Sequence, residues 1–147
     1  MIRKELPMSE NTEEARVLVI PCSGIGKVHG LIARECTYKI TDELAADTAD
    51  TLCLALLVSG DEDALAKVKA RPCITIDGCP KLCAQKNVAL AGGTVARSVL
   101  VVEGFKNRRN AQPGTAATLA DEGWEIVGEL AGDIACAIPG LCEHERE

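Results

Sequence analysis

Short apolar runs alternate along the chain with segments whose apolar residues recur every three or four positions. The first run, residues 16–20 (RVLVI), ends at Pro21 and has the pattern of a buried strand. Further strands are predicted at residues 51–55, 73–77 and 98–103. Helical periods predict helices at residues 28–44, 61–71 and 80–90, and a last helix that ends at Pro139 and Gly140.

The alternation of strands and helices predicts a parallel sheet that is covered on both faces. We expect the doubly wound strand order 2-1-3-4, which places a topological switch point between strands one and three. The predicted fold class is therefore a small α/β domain, flavodoxin-like or Rossmann-like, with a mostly parallel four-stranded sheet. Residues 1–15 are predicted to be a flexible N-terminal arm, and residues 16–147 a single domain with a C-terminal helical extension.

Composition and charge exclude several classes of function. The 147 residues carry 16 basic and 22 acidic side chains, a net charge of −6, and include one Trp, one Tyr and one Phe. Sequence-independent nucleic-acid binding needs a basic field and stacking aromatics, so it is not expected. The longest purely apolar run, residues 52–58, falls far short of the ~20 residues that span a bilayer. Because residues 1–16 also lack the pattern of a signal peptide, we expect a cytoplasmic protein that binds no membrane.

The eight cysteines change the picture most. Without an export signal they indicate metal binding or thiol chemistry more than a disulfide framework. Cys22 follows strand one, and Cys79 and Cys83 follow strand three, with Cys79 near the N-cap of a helix that Pro80 opens. Ligands of doubly wound sheets bind at the carboxyl ends of the strands, so these three thiols are predicted to form a functional site. Cys53, within predicted strand two, fits either the core or this site.

Other candidate residues have simpler interpretations. Cys36 lies on the apolar stripe of the first helix and Cys73 opens strand three, so core packing is predicted for both. His29 is expected beside the site or on the surface, with ligation as the alternative. Residues 24–30 (GIGKVHG) place the third glycine too late for a dinucleotide loop and favour a tight turn. Cys136 and Cys142 flank Pro139-Gly140 and could pair, ligate or remain apart.

Several of these segments resemble the DGC-domain family. They are Pro21-Cys-Ser-Gly24, Ala33-Arg34, Cys53-Leu-Ala55, Ile76-Asp-Gly-Cys79 and Cys83-Ala84. That family is named for its Asp-Gly-Cys motif and is described, from four characteristic cysteines, as zinc-binding. The resemblance covers residues 16–93 and implies that Cys22, Cys53, Cys79 and Cys83 are the metal ligands.

Three functions remain open on these residues. The first is a zinc protein of metal handling, sensing or structural role, since four thiolates are a usual zinc ligand set. The second is an iron–sulfur protein for electron or cluster transfer. The third is metal-free thiol or persulfide chemistry for sulfur transfer. Any enzymatic activity is expected to be cysteine-based redox or sulfur transfer, and an unidentified protein partner would suit a site at an open sheet edge.

Overall fold

Four parallel strands form the central sheet of the computed structural model, which describes residues 16–144 and side chains as far as residue 141. The strands are β1 (Val17–Pro21), β2 (Ala49–Asp50), β3 (Pro72–Asp77) and β4 (Thr94–Leu100). Their order is β2-β1-β3-β4 and every pair is parallel, which confirms the predicted doubly wound topology. The predicted N-terminal arm, residues 1–15, lies outside the described residues.

Helices connect the strands and flank the sheet. They are α1 (Val28–Lys39), which continues into a π-helical turn (Ile40–Leu44), α2 (Leu54–Ser59), α3 (Glu62–Ala70), α4 (Cys83–Leu90), a 3-10 turn (Val101–Phe105) and α5 (Asp121–His144). None of the helices in the described part of the chain combines the length and apolar character needed to cross a membrane.

Alternate residues of β1 face two separate cores, because side chains alternate between the faces of a strand. Val17 and Val19 belong to a core formed with α1 and α5. Leu18 and Ile20 belong to a second core formed with α2, α3 and α4. All four side chains are fully buried. The five-residue strand is therefore apolar throughout, as expected of a sheet covered on both faces.

The predicted second strand at residues 51–55 is wrong. β2 is the two-residue segment Ala49–Asp50, and Cys53 is the N-cap residue of α2 instead of a strand residue. Leu54 and Leu57, three positions apart on one helix face, are both buried in the second core. A short apolar run fits a buried strand or a buried helix equally well by periodicity, and here packing of these two leucines selects the helix.

Two later boundaries also differ from the prediction. The fourth strand begins at Thr94, four residues before the predicted start, and its predicted end lies in the 3-10 turn. The last helix runs through Pro139 to His144 instead of ending at Pro139. Ile138 is fully buried, Pro139 is exposed, and Leu141 beyond the proline is partly buried against the same core, so core packing continues across the proline.

Candidate functional site at the carboxyl edge of the sheet

Cys22 lies where the chain leaves β1, next to the end of β3. Its backbone N–H donates a hydrogen bond to the carbonyl of Ile76 (3.0 Å), which continues the β1–β3 ladder by one residue. Its half-buried Sγ accepts a hydrogen bond from the backbone N–H of Gly78 (3.4 Å). The Asp77-Gly78-Cys79 segment is thereby attached directly to the first predicted site cysteine.

Three glycines bring the loops of the site together. Gly24 follows β1, Gly30 lies in the first turn of α1, and Gly78 follows β3. A Cβ atom on Gly30 would lie 2.2 Å from the Cα of Gly24, and a Cβ on Gly78 would lie 2.8 Å from the N of Gly30. Side chains are therefore excluded at these positions. The loop formed by residues 24–30 is a tight connection from β1 to α1 beside Cys22.

Asp77 fixes the start of α4 from the end of β3. Its Oδ1 accepts a hydrogen bond from the N–H of Ala84 (2.7 Å) and its Oδ2 accepts one from the N–H of Gln85 (3.1 Å). Burial raises the pKa of this carboxyl above its usual 3.8, and the two N–H donors oppose that shift. The side chain thus serves as the missing cap of a helix whose own N-cap residue, Leu82, makes no side-chain cap bond.

The start of α4 differs from the predicted helix start. α4 begins at Cys83 and not at Pro80, which lies in a turn. Cys79 is consequently in the loop before the helix instead of near its N-cap. Leu82 adopts a left-handed backbone conformation (φ 54°) immediately before α4.

Cys22, Cys79 and Cys83 line one cavity of about 230 Å³, which we call the thiol cavity. His29 also lines it, and its ring packs edge-on against Phe105 with 4.9 Å between ring centroids. Burial, assisted by the charge of Lys27, lowers the pKa of His29. This environment favours the neutral imidazole beside the three thiols.

The Cys22 thiol is held in its protonated form by its surroundings. Burial is the largest cause that raises its pKa above the usual 9.0. The negative charges of Asp77 and of a Cys83 thiolate raise it further. Hydrogen bonds from the backbone of Gly78 and Gly24 act in the opposite direction.

Cys53 lines an adjoining cavity of about 440 Å³, which we call the side cavity. Cys22 lines both cavities, so it lies between Cys53 on one side and the Cys79–Cys83 pair on the other. Cys53 and Cys83 are exposed. Among the residues that the structure describes, no three Cys, His, Asp or Glu side chains are close enough together to hold a metal ion.

The remaining cysteines lie away from this edge. Cys36 and Cys73 are fully buried, which confirms the core packing predicted for them. Burial raises the pKa of Cys36 to about 12 and that of Cys73 to about 11. Cys136 is exposed on α5. The side chain of Cys142 lies outside the described residues, and the helix continues through Pro139-Gly140 to His144.

Arg34 and Tyr38 line the side cavity and were not assigned roles from the sequence. Both lie on α1, at four-residue intervals after Gly30. Residues four apart share one face of a helix, so Arg34 and Tyr38 lie on the same face of α1 as Gly30, but this spacing does not show which cavity they line.

The protein is a doubly wound α/β domain with cysteines near the carboxyl ends of its strands. The family model of the DGC domain matches residues 18–122, which include Cys22, Cys53, Cys79 and Cys83. The chain belongs to the DGC-domain family. Comparisons with curated proteins and with solved structures gave no significant match.

Proposed function

We propose that this protein binds a metal ion, zinc, through the thiolates of Cys22, Cys53, Cys79 and Cys83, and that its role is metal handling. The observation that carries the proposal is the position of Cys22, which lines one cavity with Cys79 and Cys83 and a second cavity with Cys53. Membership of the DGC-domain family supports it. Soft sulfur ligands are the donor type that zinc accepts in four-cysteine sites.

The four thiols fit zinc by their chemistry, but binding has to draw them together. Exposed side chains change rotamer rapidly, so Cys53 and Cys83 can reorient without disturbing the core. Cys22 is held more rigidly by the Gly78 N–H and by its partial burial. Since zinc binds thiolates, loading has to release the proton that burial retains on Cys22. Bound zinc would supply a positive charge that links the loops after β1, β2 and β3.

Metal handling is favoured over a purely structural role because the fold does not depend on the site for its core. Both faces of the sheet are covered by buried apolar residues that do not include Cys53, Cys79 or Cys83. Structural zinc sites are typical of small domains that are unfolded without their metal. Chelation is therefore expected to remove the metal while the α/β domain stays folded.

The decisive measurement is metal content per chain in protein purified without oxygen, together with a visible spectrum. We expect about one zinc per chain in the native protein, since a four-thiolate site holds one ion. The double variant Cys79→Ser with Cys83→Ser should lose it, and Cys53→Ser should weaken binding. Cys136→Ser, which changes an exposed cysteine on α5, is the matched control and should retain the metal. Unchanged metal content in the double variant would overturn the proposal.

A second candidate function, thiol–disulfide exchange, is favoured by the position of Cys22 and Cys83 in one cavity. The Cys83 thiolate would attack a disulfide on a partner and release one partner thiolate. The Cys22 thiolate would then displace the second partner sulfur, leaving a Cys22–Cys83 disulfide and two partner thiols. Metal-free protein with fast-reacting thiols would support this function.

Iron with acid-labile sulfide and visible absorbance in the purified protein would instead support an iron–sulfur protein.

A further inference from the structure

We infer that the side cavity is a binding site for a small organic carboxylate, with the Arg34 guanidinium as its anion-recognition group. The cavity adjoins the thiol cavity and shares Cys22 with it. The inference concerns a different ligand from the proposed metal and does not require that a metal be bound.

The lining of the side cavity combines one positive charge with polar and apolar surface. Arg34 supplies the charge, and Ser23, Tyr38 and Thr51 supply hydroxyl-bearing side chains. Pro21 and Leu52 are among its apolar walls. None of the residues that line this cavity is acidic. A volume of about 440 Å³ is within the range of small-molecule sites, which pair an apolar wall with a few polar groups.

Arg34 has unused hydrogen-bonding capacity in this position. Its Nε is buried and has no hydrogen-bond partner among the described residues, and no carboxylate of those residues forms an ion pair with it. Arg108, by contrast, pairs with Glu125 and Glu129, and Arg71 lies 3.8 Å from the carboxylate of Asp50. A carboxylate in the side cavity would be held by the terminal N–H groups of Arg34, since the buried Nε is closed to a ligand.

The chemistry of the walls selects the class of ligand. A guanidinium group presents parallel N–H donors that match the two oxygens of a carboxylate. The apolar walls accommodate a short hydrocarbon part, and the hydroxyl groups offer further hydrogen bonds. A carboxylate held in this way would lie in the same cavity as the thiols of Cys22 and Cys53.

The direct test is a titration of the full-length protein with propionate, followed in ¹⁵N–¹H correlation spectra through the Nε–H resonance of Arg34. The resonance is assigned by its loss in Arg34→Lys. Propionamide, which has the same shape and no charge, is the matched control ligand. We expect a saturable shift at millimolar propionate and no such shift with propionamide. Equal responses to the two ligands, or no saturable shift with propionate, would overturn the inference.

A second measurement uses the thiol on the cavity wall. Both iodoacetate and iodoacetamide react with the thiolate, and only iodoacetate is charged. The rate with iodoacetate divided by the rate with iodoacetamide therefore reports the effect of charge at each cysteine, free of differences in thiol ionisation. We expect this ratio to be roughly fivefold higher at Cys53 than at exposed Cys136, the size of effect expected for a partly exposed charge pair. Arg34→Gln should reduce the Cys53 ratio to the Cys136 value. Equal ratios at both cysteines in the unmodified chain would count against the site, whether or not the variant folds.

Discussion

The backbone N–H of Gly78 donates a hydrogen bond to the Sγ of Cys22 across 3.4 Å. This bond joins the loop after β3 to the end of β1, and it gives each residue of the Asp-Gly-Cys motif a distinct task. Asp77 caps α4, Gly78 binds the thiol and allows close backbone approach, and Cys79 lines the thiol cavity. The motif is thus the connection between the fold and the candidate site.

Gly30→Ala is expected to destabilise the protein strongly. The added Cβ would lie 2.2 Å from the Cα of Gly24 and 2.9 Å from its carbonyl oxygen, and backbone atoms cannot turn aside as a side chain can. We expect a loss of about 3 kcal/mol in the free energy of unfolding, at the upper end of the range for overpacking. Urea denaturation measures it.

Gly128→Ala provides the matched control for that substitution. Gly128 lies in the middle of α5, and a Cβ there would have no atom within 4 Å. Because alanine has the higher helix propensity, we expect unchanged stability or a gain of up to about 1 kcal/mol. Equal stability of Gly30→Ala and the native protein would show that the three-glycine contact does not constrain the site.

Asp77→Asn is expected to weaken the start of α4. The carboxylate accepts one backbone N–H on each oxygen, whereas an amide offers one acceptor oxygen, so one of the two bonds is lost. We expect a loss of about 1 kcal/mol at pH 7, measured by urea denaturation. Asp61→Asn is the control, since Asp61 caps α3 through one N–H bond, from Ala64, and asparagine caps equally well.

The stability difference between the native protein and Asp77→Asn should also depend on pH. Burial raises the folded-state pKa of Asp77 above 3.8, so the folded protein takes up this proton at a higher pH than the unfolded chain does. The native protein therefore gains stability relative to the variant as the pH falls from the raised pKa towards 3.8. Paired urea titrations from pH 7 to pH 4 check this. A difference that narrows on acidification would contradict the assigned direction of the shift.

The strand order was predictable because the strongest signals in the sequence are the buried strands β1 and β3. β1 is a continuous apolar run that ends in proline, and β3 is rich in β-branched residues and is followed by glycine. The second strand was not predictable in the same way. Ala49–Asp50 is only two residues long, and the apolar run after it forms α2 instead. Tertiary packing of Leu54 and Leu57 decides that segment, and local pattern does not.

The position of three cysteines at one edge of the sheet was predictable from the sequence, whereas the local geometry around them was not. Cys22, Cys79 and Cys83 meet in one cavity because the strand order brings the ends of β1 and β3 together. The helix start was misplaced because Pro80 is a strong local signal for a first helical position. The actual cap is Asp77, whose side chain reaches N–H groups seven and eight residues further along the chain. Arg34 was missed because a single charged residue on a helix gives no sign of which cavity it lines.

Pro139→Ala is expected to stabilise α5. Proline inside a helix lacks the N–H that would bond to the preceding turn, and its ring crowds the carbonyl there. Residue 139 is exposed, so the change removes no core packing. We expect a gain of about 1–2 kcal/mol, below the full helix-interior value because the position is close to the helix end. Thermal denaturation of Pro139→Ala measures this gain. Ala137→Pro is the control and should lower the melting temperature. A lower melting temperature for Pro139→Ala would contradict the continuous helix.

Native thiol alkylation should divide the cysteines by burial. Cys36 and Cys73 are completely buried, and their pKa values are raised to about 12 and about 11, so both stay protonated and shielded at pH 8. We expect them to resist iodoacetamide until the chain unfolds, whereas exposed Cys53 and Cys136 react early in metal-free protein. Mass spectrometry after native labelling, with a second reagent added in denaturant, assigns each thiol. The same shifts predict that stability falls as the pH rises above 9.0, because the unfolded chain then ionises these thiols before the folded protein does. Labelling of Cys36 or Cys73 at the Cys136 rate would show that the two cores open more readily than their packing implies.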